Sequence, residues 1–233
     1  MTQKHNLLTP SEIKKKVGNN AAALIKDGMC VGLGTGSTSG PFIDSLIQRC
    51  KEGLKISAIA SSKASEERAR KGGIPLLDSN NVTSLDITVD GADEIDSQKR
   101  MIKGGGGALL REKILASCSK EMIVVVDETK LVAQLGATKL PVEIIPFGHL
   151  ATIFKLKQRG YEGKLRMTPS ETPYITDNSN FIFDIHFKEL RKNPEADALN
   201  IQNIPGVVET GFFLGLAGRV IIGFNDGRIE ILP

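Results

Sequence analysis

Three short stretches of this chain carry residue types able to do chemistry. "TVDGADEID" gathers Asp90, Asp93, Glu94 and Asp96 into one short run. So many carboxylates can hold a metal, exchange protons with a substrate, or only shape a solvated turn. "IKGGGGALLREKI" sets Lys103 before four successive glycines, with Glu112 a turn into the helix expected from about Ala108. "VGLGTGSTSG" mixes glycines with the hydroxyls of Thr35, Ser37 and Thr38. Glycine lets the backbone approach a ligand, and amides at a helix N-terminus favour an anion.

Each stretch has a plainer reading beside the chemical one. The glycine–hydroxyl loop is not a dinucleotide fingerprint, because its spacing is G-x-G-x-G and the next strand, "KISAIASS", ends in Ser rather than an acid. It also lacks the Gly-Lys-Ser/Thr ending of a Walker loop. That leaves a small phosphate site or a tight turn with a Ser/Thr cap. The acidic run is not a calcium loop, since Ala92 breaks the alternation of oxygen ligands. A lone Asp in a turn usually serves its own backbone, yet Asp90 and Asp93 end the apolar strand "LDITV" near the edge that carries Thr35 to Thr38. Four glycines in a row are costly in backbone entropy and therefore serve something. Taken singly, Lys103 is a solvated lysine and Glu112 a surface charge; beside the glycines they become a candidate pair. Ala108 shares a face with Glu112 and leaves room for a ligand above it.

The elements that position these groups read as strands alternating with helices through the first half. "MCVGLG", "KISAIA", "IPLLD", "LDITVDGA" and "MIVVVDE" are short apolar strands; "TPSEIKKKVGNNAAALIKDG", capped at Thr9 or Ser11, "SGPFIDSLIQRCKEG", "SKASEERARKGG" and "ALLREKILASCS" are helices. Strands apolar on both faces belong in a parallel sheet. The expected fold is therefore α/β, an open, mostly parallel sheet flanked by helices in the Rossmann-like manner. After about Gln134 the rhythm changes. "LPVEIIPFG" is Pro-punctuated, "HLATIFKLKQRGYEG" reads as an amphipathic helix, and "KLRMTP" and "YITDNSNFIFDIHF" as strands. "RVIIGFNDGRIEIL" predicts two strands around a hairpin at Asn225-Asp226-Gly227. The expected division is a catalytic α/β domain over 1–134 plus 209–233 and a smaller α+β domain over 135–208.

Bulk composition narrows the class. The chain has 233 residues, 40% hydrophobic and 24% charged, an ordinary globular balance with enough length for a sizeable core. A net charge of +3, no Trp and no basic run interleaved with aromatics argue against nucleic acid, while mild attraction of anionic metabolites fits. Cys30, Cys50 and Cys118 form no C-x-x-C pair and no disulfide framework. "MTQKHNLLTP" lacks the apolar stretch of a signal peptide, and no segment reads as membrane-spanning. The expectation is a reduced, cytoplasmic protein.

"GLGTGST", "DGADEID" and "KGGGGALLREKI", in this order and spacing, resemble ribose-5-phosphate isomerase of the A type. The resemblance continues through "VVVDETK", "LPVEIIPFG" and "PGVVETGFF" and so covers nearly the whole chain; "DSQKR" fills a variable stretch. It implies interconversion of D-ribose 5-phosphate and D-ribulose 5-phosphate in the non-oxidative pentose phosphate pathway, with no metal and no organic cofactor. It also implies a doubly wound α/β domain with a smaller α+β domain, assembled as a homodimer or homotetramer. The family's proton acceptor falls on Glu112, its aspartates on Asp90 and Asp93, and its lysine on Lys103. Its substrate-contacting segments fall on Thr35, Gly36, Ser37 and Thr38, on Asp90, Gly91, Ala92 and Asp93, on Lys103, Gly104, Gly105 and Gly106, and on Lys130.

The chemistry of an aldose–ketose exchange fits that assignment. One carboxylate, Glu112, shuttles the proton between C1 and C2. Lys103 and the glycine amides stabilise the enediolate. Asp90 opens the sugar ring, with Asp93 assisting. The phosphate supplies remote binding energy, and Glu94 and Asp96 are left as a solvated turn. Competing classes are a sugar-phosphate sensor, which would want a DNA-binding module ahead of the phosphate loop, and a deaminase or lactonase on a similar fold. A nicotinamide dehydrogenase is the weakest, for want of its glycine spacing.

Overall fold

The computed structural model describes residues 7–233; residues 1–6 of the opening segment lie outside it. In chain order the elements are α1 (Pro10–Ala23), β1 (Cys30–Leu33), α2 (Ser39–Lys51), β2 (Ser57–Ala60), α3 (Lys63–Lys71) and β3 (Leu85–Asp90). Then come β4 (Glu94–Ile95), β5 (Met101–Ile102), α4 (Leu109–Ser117), β6 (Ser119–Asp127), β7 (Leu140–Ile144), α5 (His149–Gln158), β8 (Gly163–Leu165) and β9 (Phe181–Ile185). The chain closes with α6 (Pro194–Gln202), β10 (Val207–Thr210), β11 (Phe212–Phe213), β12 (Ala217–Gly223) and β13 (Ile229–Leu232).

The chain forms two compact units. The first runs to Gly91 and adds Ile114–Leu131 and Leu216–Pro233; the second takes Ala92–Lys113 and Val132–Gly215. The first holds a six-stranded sheet in the order β13-β12-β6-β3-β1-β2, parallel except for the edge strand β13. Its strands are apolar because both faces are covered: on one, Val31, Leu33, Val89, Ile123, Val125 and Ile221 join Val17, Ala21, Phe42 and Leu46 of the helices, and on the other Ile59 and Leu85 pack with Leu115 of α4. The expected α/β class, an open, mostly parallel sheet flanked by helices, is what forms. Thr9 caps α1 through a reciprocal capping box with Glu12, and Pro10 opens the helix. β12 and β13 make the expected hairpin, with Gly227 at φ +89°.

The second unit has a four-stranded antiparallel sheet, β10-β7-β9-β8, and a three-stranded one, β11-β5-β4. Its core joins Leu140, Val142 and Ile144 of β7 to Phe183 and Ile185 of β9, Leu156 of α5 and Ile201 of α6.

The division differs from the expected 1–134 plus 209–233 and 135–208. Residues 92–113 and 209–215 belong to the second unit because β4 and β11 both pair with β5. Those strands are two residues long, too short to show a period in sequence. "IPLLD" makes a single bridge, Ala58 to Leu76, rather than a strand. "YITDNSN" is likewise a loop, whose Thr176, Asn178 and Asn180 side chains all donate to buried Glu143.

Candidate active site

In the first unit the hydroxyl-rich loop follows β1, Asp90 ends β3, and Lys130 ends a 3-10 turn after β6. These three strands are parallel neighbours, so the groups share the carboxyl edge where open sheets take ligands. Asp90 is fully buried. Its Oδ1 accepts from Thr35 N–H at 3.1 Å, Gly91 N–H at 2.8 Å and Ser39 Oγ at 2.9 Å. A Cβ on Gly34 would run into that carboxylate, so the middle glycine of the loop is what lets strand end and loop meet.

Thr35 Oγ1 lies 2.8 Å from both Ser61 Oγ and Ser62 Oγ, and Ser65 Oγ donates to the Gly34 carbonyl at 2.7 Å. The Thr35 hydroxyl thus braces the loop from behind. Gly36 and Ser37 are exposed and Thr38 is half-buried. Thr38 precedes α2, yet its side chain accepts no helix N–H, so capping does not account for it. Lys14 of α1 donates to Ser37 Oγ at 2.9 Å, which puts an ammonium at the anion-favouring loop. Sequence reading missed Lys14 and the three serines. "SSKAS", following the strand beside β1, was the available signal for the serines; Lys14 had none.

The second unit holds Ala92, Asp93, Lys103, Gly104, Gly105, Gly106 and Glu112. β5 delivers Lys103, whose backbone N–H donates to the Gly211 carbonyl at 2.9 Å. Glu112 lies in the first turn of α4, where the helix dipole favours a carboxylate. Lys103 and Glu112 are 3% and 4% exposed, and Lys103 Nζ stands 3.2 Å from Glu112 Oε2. The pair occupies a site from which water is largely excluded. Phe213 lies beside two ammonium groups, with Lys103 Nζ 5.2 Å and Lys113 Nζ 4.9 Å from its ring centroid. Burial pushes the Lys113 ammonium down, against the pull of Glu209 at 2.8 Å.

Asp93 is half-buried and its Oδ2 accepts the Gly105 N–H at 2.8 Å. The carbonyl side of the glycine turn is held too. Arg166 Nη1 donates to the Gly104 and Gly105 carbonyls at 3.2 and 3.1 Å, and the Tyr174 hydroxyl to the Gly106 carbonyl at 3.2 Å. Arg166 is itself clamped by buried Asp184 through bonds of 2.9 and 2.5 Å, and Lys139 adds a third at 2.7 Å.

Burial alone would push the Asp184 carboxyl up, but the hydrogen bonds and charges of Arg166 and Lys139 outweigh it and hold it below its ordinary value. A depressed native value means stability that is present above the unfolded-state value, near 4, and lost as pH falls through the native one. Asp184→Asn is therefore expected to destabilise the fold at pH 7 by about 3 kcal/mol, with the gap to wild type narrowing in urea melts below about pH 4. A constant gap between pH 3 and pH 7 would contradict this.

Two acids fare differently from expectation. Glu94 and Asp96 are not a solvated turn. Glu94 is 1% exposed and accepts the backbone N–H groups of Gly136, at 2.7 Å, and Thr138. Asp96 is 6% exposed and takes the Gln98 and Arg100 amides together with the Arg100 guanidinium. Both are structural carboxylates that tie the turns of the second unit. Among the described residues no group of three or more His, Cys, Asp or Glu is placed to hold a metal ion, and no helix is long and apolar enough to cross a membrane.

The first unit has a parallel sheet with an anion-favouring loop at its carboxyl edge, and the second a glycine turn beside a buried lysine–carboxylate pair; each is a feature of α/β enzymes. The family model for ribose 5-phosphate isomerase A (phosphoriboisomerase A) matches residues 57–227. A ribose-5-phosphate isomerase A of Protochlamydia amoebophila is 52% identical over the whole length of both chains. The solved ribose 5-phosphate isomerase A of Methanocaldococcus jannaschii is similar at a TM-score of 0.90 and 38% identity, over 96% of this chain and 99% of that one. A D-ribose-5-phosphate isomerase solved in complex with phospho-erythronic acid gives a TM-score of 0.92 at 37% identity, over 97% and 99%. The chain belongs to the ribose 5-phosphate isomerase A family.

Proposed function

We propose that this chain is an aldose–ketose isomerase interconverting D-ribose 5-phosphate and D-ribulose 5-phosphate, with Glu112 as the proton carrier. The observation that carries the assignment is the buried Lys103–Glu112 pair, which closes across the tetraglycine turn. In the open-chain aldose, the Glu112 carboxylate takes the proton from C2. The C–H electron pair becomes the C1–C2 double bond, and charge moves onto the C1 oxygen. Lys103 and the Gly106 N–H of the glycine turn are the donors we assign to that oxygen, in a site where they act with little solvent screening. Glu112 then returns the proton to C1, the C2 hydroxyl proton passes to the C1 oxygen as the C2 carbonyl forms, and the ketose results.

Ring opening precedes these steps. Asp90 was the expected acid–base group, but it is fully buried and holds the loop of residues 35–38. Asp93 is half-buried and already bonded to the glycine turn, so we give it the ring-opening duty. Thr38, Ser37, Gly36 and Lys14 are assigned to the phosphate, whose binding energy holds the flexible open chain; Lys130 is assigned to the substrate on the same sheet edge. Lys14→Ala is expected to raise the KM for ribose 5-phosphate about tenfold with kcat within about twofold, as loss of one charge-assisted contact would. An unchanged KM would remove Lys14 from the site.

A homodimer or homotetramer belongs to the same reading. Phe147, just before α5, and Leu150 and Phe154 on it are 89%, 72% and 62% exposed, an apolar strip suited to a second copy. The three cysteines are free thiols, which fits a reducing compartment. Incubation with ribose 5-phosphate, following ribulose 5-phosphate formation without added metal, tests the function; absence of turnover would overturn it.

A further inference from the structure

The glycine turn is held from its carbonyl side by side chains with no place in the proton transfer. Three consecutive carbonyls, those of Gly104, Gly105 and Gly106, each accept from a side chain of the stretch 166–174. The guanidinium that makes two of these bonds is 10% exposed, is anchored to Asp184, and lies 5.7 Å from the Tyr174 ring centroid. Gly107 fits only because it has no side chain: a Cβ there would meet the Tyr174 hydroxyl. In a peptide the N–H points opposite to the C=O. Fixing three carbonyls toward Arg166 and Tyr174 therefore fixes the amides that follow them. Of these, the Gly105 N–H donates to Asp93 and the Gly107 N–H to the Gly104 carbonyl at 3.0 Å, so the Gly106 N–H is the one turned toward a ligand.

The same segment reaches the helix that carries the base. Arg111, next to Glu112, donates to Asn178 Oδ1 and to the Asp177 carbonyl, both at 2.8 Å. Asn178 is in turn bound to Glu143, a buried residue of β7 that also receives Thr176 and Asn180. One loop thus ties the glycine turn at one end and the start of α4 at the other.

We propose that Arg166 and Tyr174 are positioning residues for the isomerisation: by holding the Gly104, Gly105 and Gly106 carbonyls they fix the direction in which the turn presents the Gly106 N–H to the developing enediolate and keep the Gly105 N–H on Asp93. This rests on the isomerase reading above. Neither side chain acts on the sugar. The turn has four glycines and little stiffness of its own, so the outer clamp adds its three bonds to those that Asp93 and the Gly104 carbonyl already make.

The test compares Arg166→Met, Arg166→Lys and Tyr174→Phe in kcat, KM for ribose 5-phosphate, and inhibition by phospho-erythronic acid. That acid carries a carboxylate where the reaction develops enediolate charge. Arg166→Met is expected to lower kcat by up to about a hundredfold, the cost of a misplaced reacting geometry. KM should stay within about threefold while the inhibition constant rises in step with the kcat loss, because the donors act on the charged state rather than on the substrate. Arg166→Lys, still a cation toward Asp184 but without the fork, should recover part of the rate. Tyr174→Phe removes one hydroxyl, should fold, and is expected to show the same pattern at about tenfold.

Arg191→Met is the control. Arg191 makes a similar two-bond pair with Asp197, at 2.7 and 2.8 Å in the same unit, without bonding to the glycine turn. It should lower stability and leave both constants unchanged. Wild-type kcat and inhibition in Arg166→Met and Tyr174→Phe would overturn the proposal alone, as would equal losses in Arg191→Met. A wild-type chain without turnover would overturn the isomerase reading as well, and the same assay separates the two failures.

Discussion

Glu112→Gln is expected to lower kcat by about 10²- to 10⁴-fold, the range for loss of a positioned proton-transfer group. The amide has the size of the carboxylate and cannot accept a proton from carbon. Substrate affinity should survive, because the phosphate loop and Lys14 lie outside the change. Hydrogen exchange between C1 of the ketose and heavy water should vanish with turnover, since both need the same base. The variant remains helical at this position; Gln and Glu have similar helix propensity. Near-normal kcat in a folded Glu112→Gln protein would move the proton-carrying role to another group.

What could be read in the sequence and what could not divides along a physical line. The parallel sheet was legible because "CVGL", "LDITV" and "MIVVV" are apolar on both faces, and burial on both faces leaves that mark on neighbouring residues. The hairpin at residues 225–227 was legible because its turn needs a particular backbone shape. Two-residue strands such as β4 and β5 leave no periodic trace, so the side of the boundary on which the acidic and glycine motifs fall could not be read. Glu94 and Asp96 looked solvated because composition records charge but not the amides of Gly136, Thr138 and Arg100 that bind them. Lys14 and Arg166 were invisible for the same reason: each reaches the motifs from far along the chain, and their neighbours in sequence say nothing of the destination. The motif residues themselves were readable, since Gly34 and Gly105 exist to admit carboxylates, and a Cβ at Gly105 would stand 2.9 Å from Asp93 Oδ1.

Lys103→Met is the second large effect. Methionine keeps much of the stem volume and removes the ammonium 3.2 Å from Glu112. The enediolate then loses a fixed positive donor, and kcat is expected to fall about 10²- to 10³-fold, as for loss of one oxyanion donor. Stability should fall as well, because a buried carboxylate loses its cation, which costs about 3–5 kcal/mol where no other group compensates. These two consequences separate in the double variant Lys103→Met/Glu112→Gln. With both charges gone, no buried ion is left without its counterion, so the double variant should be more stable than the sum of the single losses predicts, by about 1–3 kcal/mol. Its activity should not recover, because neither the base nor the donor has returned. Urea melts of the four proteins give the coupling directly, and strictly additive losses would mean that the Lys103–Glu112 contact has no energetic weight in the fold. Recovery of turnover in the double variant would be the sharper surprise: it would show that the ammonium restrains the carboxylate rather than serving the enediolate.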